Sequence, residues 1–167
     1  MGFYTIIDDL YFYQMLSFVR KYTNFELKLN NYFYKKTNGI TPEFIVVINK
    51  FIFFFVRKDN YFTSKMYLGP IRREISPKKV LIISAENVFI NLLFSFFPDL
   101  YIHDVKIEND DPSGEREISL YFLNYRDRGI AIGRQGEYIK CLNELCQNFI
   151  ILENNITPLE IKCKALT

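Results

Sequence analysis

Arg128-Gly129-Ile130-Ala131-Ile132-Gly133-Arg134-Gln135-Gly136-Glu137 is the stretch on which the fold of this chain turns. Glycines at 133 and 136 let the backbone turn sharply and let peptide N–H groups come close to an anion where a Cβ would collide. The helix that the spacing predicts from Glu137, with Ile139, Leu142 and Leu145 on one face, aims its first N–H groups at the same place. Arg134 adds a charge that can pair with phosphate, and Ile130 and Ile132 are read as packing the preceding short helix while offering an apolar floor to a base.

Working outward, Val88, Phe89, Leu92, Leu93 and Phe96 form a helical stripe, with Ser84 as its expected N-cap and Pro98 as its stop. A strand is expected over 100–108, a turn at Asp110-Asp111-Pro112-Ser113-Gly114, and a partner strand over 117–124 with Ile118, Leu120 and Phe122 on one face. Pro158 introduces a last strand, 159–164. The expected order from residue 85 is helix, strand, strand, short helix, loop, helix, strand. A plain helix-turn-helix hairpin would also set glycines at its turn, but the I-x-I before the loop, the amphipathic helix after it and the ribbon upstream all agree with that longer order.

That order, with Gly-x-x-Gly between its second and third helices, resembles a type II KH domain, in which the loop clamps the backbone of about four nucleotides. The resemblance covers residues 85–167, about half the chain, and implies an α+β fold. Two families that carry the module are similar here. The third protein of the small ribosomal subunit shows Arg-Pro-Gly-Ile-Val-Ile-Gly-Lys-Lys-Gly-Glu, and this chain keeps the frame with Gln135 in place of a lysine. The transcription factor NusA shows Ala-Ile-Gly-Arg-x-Gly, matched by Ala131 to Gly136, and Phe97-Pro98-Asp99-Leu100 is similar to its approach to the KH region. With the chain ending at Thr167, no second KH module is read in tandem, which puts the ribosomal family first. Its usual C-terminal domain would then lie on a separate fragment, as in a split gene.

The ribosomal resemblance implies a non-enzymatic structural component of an organellar small subunit. Its partners would be rRNA, mRNA near the entry channel and neighbouring small-subunit proteins. A NusA-like elongation or antitermination factor is the alternative, and a KH-fold scaffold that no longer binds RNA is a third reading. The implied RNA-binding residues are Gly133, Arg134, Gln135 and Gly136, with Ile130 and Ile132 below them and Arg126, Arg128 and Lys140 flanking.

Composition points the same way. The 167 residues include 17 Phe, 12 Tyr and no Trp, and Ile, Asn and Lys are plentiful, the set that A+T-rich codons specify. An organellar genome is therefore expected, and the ribosomal resemblance implies the mitochondrion, with a plastid as the alternative. Net charge is +2, too small to mark a nucleic-acid binder by itself, so distribution matters more. Residues 57–79 carry Arg57, Lys58, Lys65, Arg72, Arg73, Lys78 and Lys79 against Asp59 and Glu74, whereas 99–117 are acidic. Arg72, Arg73, Lys78 and Lys79 are read as phosphate contacts on a proline-extended segment.

The first 84 residues read as an extension: one or two aromatic-rich helices over 4–35, an Asn38-Gly39 stop, then the run 44–56 as one buried strand. That run has 13 residues, short of the roughly 20 needed to cross a bilayer, so no membrane contact is expected. A second strand is expected near 61–68 and a third at 80–83, with a worn oligonucleotide-binding barrel over 44–83 as the alternative. Cys141, Cys146 and Cys163 lack zinc spacing and are read as small core residues, so neither metal nor cofactor is expected. His103, without a nucleophile beside it, is read as strand-edge packing.

Overall fold

The computed structural model of the chain describes residues 6–110 and 112–166. Asp111 of the expected turn and residues 4 and 5 of the expected first helix lie outside the described residues. The architecture is mixed α+β, with helices packed on small sheets. It divides into two compact units: Phe18–Asn87, and the residues from Val88 onward together with those up to Ser17. The expected boundary at 84/85 thus falls three residues short of the structural one, and the opening segment goes with the C-terminal unit.

That segment forms helix α1 (Ile6–Phe12) and strand β1 (Leu16–Phe18). It is stitched to the C-terminal unit by Tyr11, whose hydroxyl accepts from the Leu159 N–H at 2.8 Å and whose ring meets Phe89 edge-on at 5.7 Å. Burial pushes the Tyr11 hydroxyl up to about 12.

The N-terminal unit runs α2 (Asn24–Lys36), β2 (Phe44–Ile48), β3 (Phe51–Val56), α3 (Tyr61–Lys65), α4 (Leu68–Glu74) and β4 (Lys79–Ser84). Thr23 caps α2, and Glu26 closes the capping box by accepting the Thr23 N–H at 2.9 Å. The 44–56 run is therefore a hairpin and not one strand: Asn49 takes φ +51° at its turn, a conformation asparagine tolerates better than most residues. β3 is buried throughout because it lies between β2, antiparallel, and β4, parallel, and so needs apolar side chains on both faces. Ile52, Phe54 and Val56 pack with Leu29, Phe33 and Ile71 of the helices.

Residues 61–68 hold a short helix, a turn and the start of a second helix where a strand was expected. Pro70 sits in the first turn of α4, where a missing N–H costs no hydrogen bond, so Gly69-Pro70 opens a helix instead of punctuating a loop. The basic segment is accordingly helical and not extended, and three strands under helices leave no barrel over 44–83.

The C-terminal unit continues with α5 (Phe89–Ser95), β5 (Asp104–Asn109), β6 (Arg116–Phe122), α6 (Tyr125–Ile132), α7 (Glu137–Phe149), β7 (Ile150–Leu152) and β8 (Ile161–Ala165). Ser84 does not cap α5; it ends β4 and donates to Glu86 at 3.1 Å, while Val88 holds the N-cap. β7 pairs with β1, and the main sheet has the order β5-β6-β8, with β5 antiparallel and β8 parallel to β6.

The two units therefore repeat one plan: helix, strand, antiparallel strand, helix, helix, parallel strand, with the second strand central. The amino-acid sequence shows no such repeat.

The outer face of the C-terminal sheet carries interleaved charges. Glu117, 4% exposed, is held by Lys162 and Lys164, each at 3.0 Å. Burial alone would raise its carboxyl, but the two ammonium groups outweigh that and keep it below the usual 4.5. A depressed carboxylate contributes stability above the unfolded-state value and loses it as pH falls through the folded one. Stability measured by urea unfolding is expected to decline as pH drops below about 4.5, and to decline less steeply in Glu117→Gln.

Candidate nucleic-acid interface

The junction between α6 and α7 is built from the backbone up. Asn124, extended, caps α6 by accepting the Asp127 N–H at 2.9 Å, and α6 ends where Gly133 takes φ +83° and ψ 173°. Gln135 at φ +55° and Gly136 at φ +73° complete the turn, and the Gly136 N–H returns to the Gly133 carbonyl at 3.1 Å. Only Gly133 is also sterically required. A Cβ there would stand 2.7 Å from Cβ of Tyr138 and 3.0 Å from its backbone nitrogen, whereas at Gly136 the nearest neighbour would be an ordinary 3.7 Å away.

Tyr138 fixes the turn from behind. Its hydroxyl donates to the Phe96 carbonyl at 2.6 Å and its ring meets Phe97 edge-on at 5.9 Å, so the start of α7 is tied to the end of α5. Asn143, one turn on, clamps β8 at two points, donating to the Ile161 carbonyl at 3.0 Å and accepting its N–H at 2.7 Å. Sequence reading assigned neither residue a role. An asparagine inside an amphipathic helix was the available signal, since it is a poor helix former unless its amide is used. Cys141, Leu142, Leu145 and Cys146 form the buried face of α7. Burial pushes the thiols of Cys141, Cys146 and Cys163 to about 12, so they sit as small apolar groups.

Around the turn, Arg134, Gln135, Arg126 and Lys140 are exposed. Ile130, 55% exposed, lies on the open side of α6, and Ala131, not either isoleucine, supplies its fully buried side chain; Ile132 is half-buried. Arg128 is partly committed elsewhere, since its Nε donates to the Cys163 carbonyl at 2.9 Å and ties α6 to β8. The turn is thus a partly exposed backbone bend flanked by Arg134, Lys140 and Arg126, beside an apolar side chain.

Gly129 is a second opening. It lies within α6, is exposed, and a Cβ there would meet nothing within 4 Å. A glycine inside a helix costs roughly 0.5–1 kcal/mol relative to alanine, and no intramolecular contact offsets that cost. Gly129→Ala is therefore expected to raise stability by about 0.5 kcal/mol while weakening any ligand that lies flat on α6. Thermal melting and a binding titration on the same sample would check the pair of effects, and a gain in both would refute the close-approach role.

At the matching place in the N-terminal unit, between α3 and α4, stand Met66 and Tyr67 with φ −62° and −94° and no left-handed residue. That junction cannot present the same left-handed turn. Of the four basic residues expected to meet phosphate, Arg72, Lys78 and Lys79 line one cleft of about 300 Å³; Arg73 is not part of it. His103 is exposed at the start of β5, its N–H donating to Tyr121 at 2.8 Å and its ring edge-on to Tyr101. Among the described residues no cluster of His, Cys, Asp or Glu could hold a metal ion, and no helix is long and apolar enough to cross a membrane.

The class these features define is a two-unit α+β protein with one glycine turn exposed between helices. Among solved structures it is similar to APE1850, with a TM-score of 0.60 over 86% of this chain and 99% of that chain, at 16% identity. That likeness concerns the fold, and its extent reaches well beyond the C-terminal unit. No protein-family model and no curated protein matches the sequence.

Proposed function

We propose that this chain binds single-stranded RNA, without catalysis, through a type II KH module whose phosphate clamp is the turn at 133–136. The observation that carries the reading is the turn itself: Gly133 has a conformation and a neighbour that admit no side chain, and the turn leads directly into a 13-residue helix. Supporting it are the element order of the unit and its parallel third strand.

The ribosomal reading rests on a lone KH module. Two units of one plan instead favour the NusA-like reading, in which KH modules stand in tandem, the first here having lost its glycine turn. The Ala131-Ile132-Gly133-Arg134-x-Gly136 match belongs to the same family. RNA polymerase and a nascent transcript, not rRNA, are then the partners, in the organelle that the composition suggests.

Arg134→Glu tests the clamp. It is expected to lower affinity for a single-stranded RNA oligomer at least tenfold and to reduce the salt dependence by about one charge, with unchanged melting temperature. Unaltered affinity would dismiss the clamp and leave the scaffold reading. Gradient sedimentation of a native lysate separates the rest: comigration with polymerase supports the transcription factor, and unit stoichiometry with the small subunit restores the ribosomal protein.

A further inference from the structure

Each unit has a cleft at the same point of the shared plan, between the later turns of its last helix and the start of its parallel third strand. In the C-terminal unit this cleft, about 290 Å³, is lined by Asn143, Gln147 and Leu159 with two carboxylates, Glu144 and Glu160, and holds no cation. In the N-terminal unit its counterpart, about 300 Å³, is lined by Arg72, Lys78 and Lys79 together with the buried Phe51 and Val80 and the half-buried Leu81, and holds no carboxylate. The scaffold forms the cleft in both places, so its inverted charge belongs to the side chains of this unit.

The three cations are held in place by the protein but not neutralised by it. Arg72 Nε donates to the Val80 carbonyl at 3.0 Å, Lys78 Nζ to the Asn49 carbonyl at 2.8 Å, and Lys79 Nζ stands 5.7 Å from the centre of the Phe51 ring. Among the described residues none of the three forms an ion pair. Each keeps further N–H donors, since a guanidinium has five and an ammonium three.

We propose that this cleft binds a phosphomonoester, the terminal phosphate of an RNA strand. This rests on the RNA-binding reading above and adds a site that the glycine turn does not contain. Charge decides between a strand end and a strand interior. An internal phosphodiester carries one negative charge, whereas a monoester carries about −1.5 to −2 at pH 7 and three acceptor oxygens, the better match to three cations lining one cleft.

The test uses the full chain and one ten-nucleotide RNA in three forms: 5′-phosphorylated, 3′-phosphorylated, and hydroxyl at both ends. At least one phosphorylated form is expected to bind about tenfold more tightly than the hydroxyl form. Lys78→Ala/Lys79→Ala should abolish that preference, weakening the phosphorylated form about tenfold more than the hydroxyl form, while hydroxyl-form binding keeps its sensitivity to Arg134→Glu. Equal binding of the three forms, or a preference that survives the double variant, overturns the proposal while leaving the glycine-turn reading intact. If the wild-type chain binds none of the three, both readings fail as statements about RNA. A titration with adenosine monophosphate, followed by chemical-shift changes at Val80 and Leu81, then separates the sources: binding weaker than that of the preferred phosphorylated RNA supports the strand end, whereas binding at least as tight assigns the cleft to a free nucleotide and overturns the strand-end assignment.

Discussion

Phe54→Ala is expected to cost about 4 kcal/mol of folding stability. Phe54 is fully buried in the central strand of the N-terminal unit and stacks on Phe33 at 4.6 Å between ring centres. Ile52 and Val56 on the same face, Ile71 of α4 and Leu29 of α2 enclose it, so a void left there is walled by a sheet and two helices that cannot close in. Domains of this size are commonly stable by about 5–15 kcal/mol, so the variant should sit near the unfolding threshold. Urea unfolding against Phe62→Ala is the control. Phe62 is 81% exposed and its truncation should change little. Similar losses for both would mean that β3 is not the centre of that core.

Gly133→Ala comes next, at about 3 kcal/mol, and its signature differs because it removes function together with stability. Backbone near φ +83° and ψ 173° is open essentially to glycine, and the added methyl would press on Tyr138, which cannot retreat while its hydroxyl holds the Phe96 carbonyl. The start of α7 should therefore shift, taking the N–H groups of the turn with it. Gly136→Ala provides the contrast. Its φ of +73° is strained for alanine by about 1–2 kcal/mol, but nothing stands closer than 3.7 Å, so the turn should survive. Denaturant unfolding with RNA titration on both variants separates them, and equal effects would refute the packing of Tyr138 against the turn.

Legibility in the sequence followed the range of the interactions involved. The glycine turn, α7 and the β5–β6 hairpin were readable because each is governed by neighbours a few residues apart: turn residues, a helical stripe, strict alternation. Errors came where long-range pairing decided the outcome. The 44–56 run looked like one strand since both halves are apolar, yet only Asn49 with its positive φ marks the hairpin, and only placement between β2 and β4 explains the continuous burial of β3. Residues 61–68 looked extended for lack of a clear helical period, while two short helices form there because they cover the Ile52, Phe54, Val56 face. Arg128, expected as a phosphate contact, also gives its Nε to a β8 carbonyl 35 residues away, a long-range tie that leaves its other donors open.

By itself, then, the sequence determined that this chain has an exposed Gly-x-x-Gly turn leading into an amphipathic helix, a basic segment at 57–79 and buried, unpaired cysteines. Only the tertiary structure decided that the N-terminal half repeats the plan of the C-terminal half, and that Arg72, Lys78 and Lys79 line a single cleft. The reason is physical. A repeat of topology resides in which strands pair and in what direction, and that pairing is held by apolar side chains that many different sequences can supply. Once the first unit carries Met66 and Tyr67 where the second carries its glycine turn, no local signal remains to reveal that the two units share one plan.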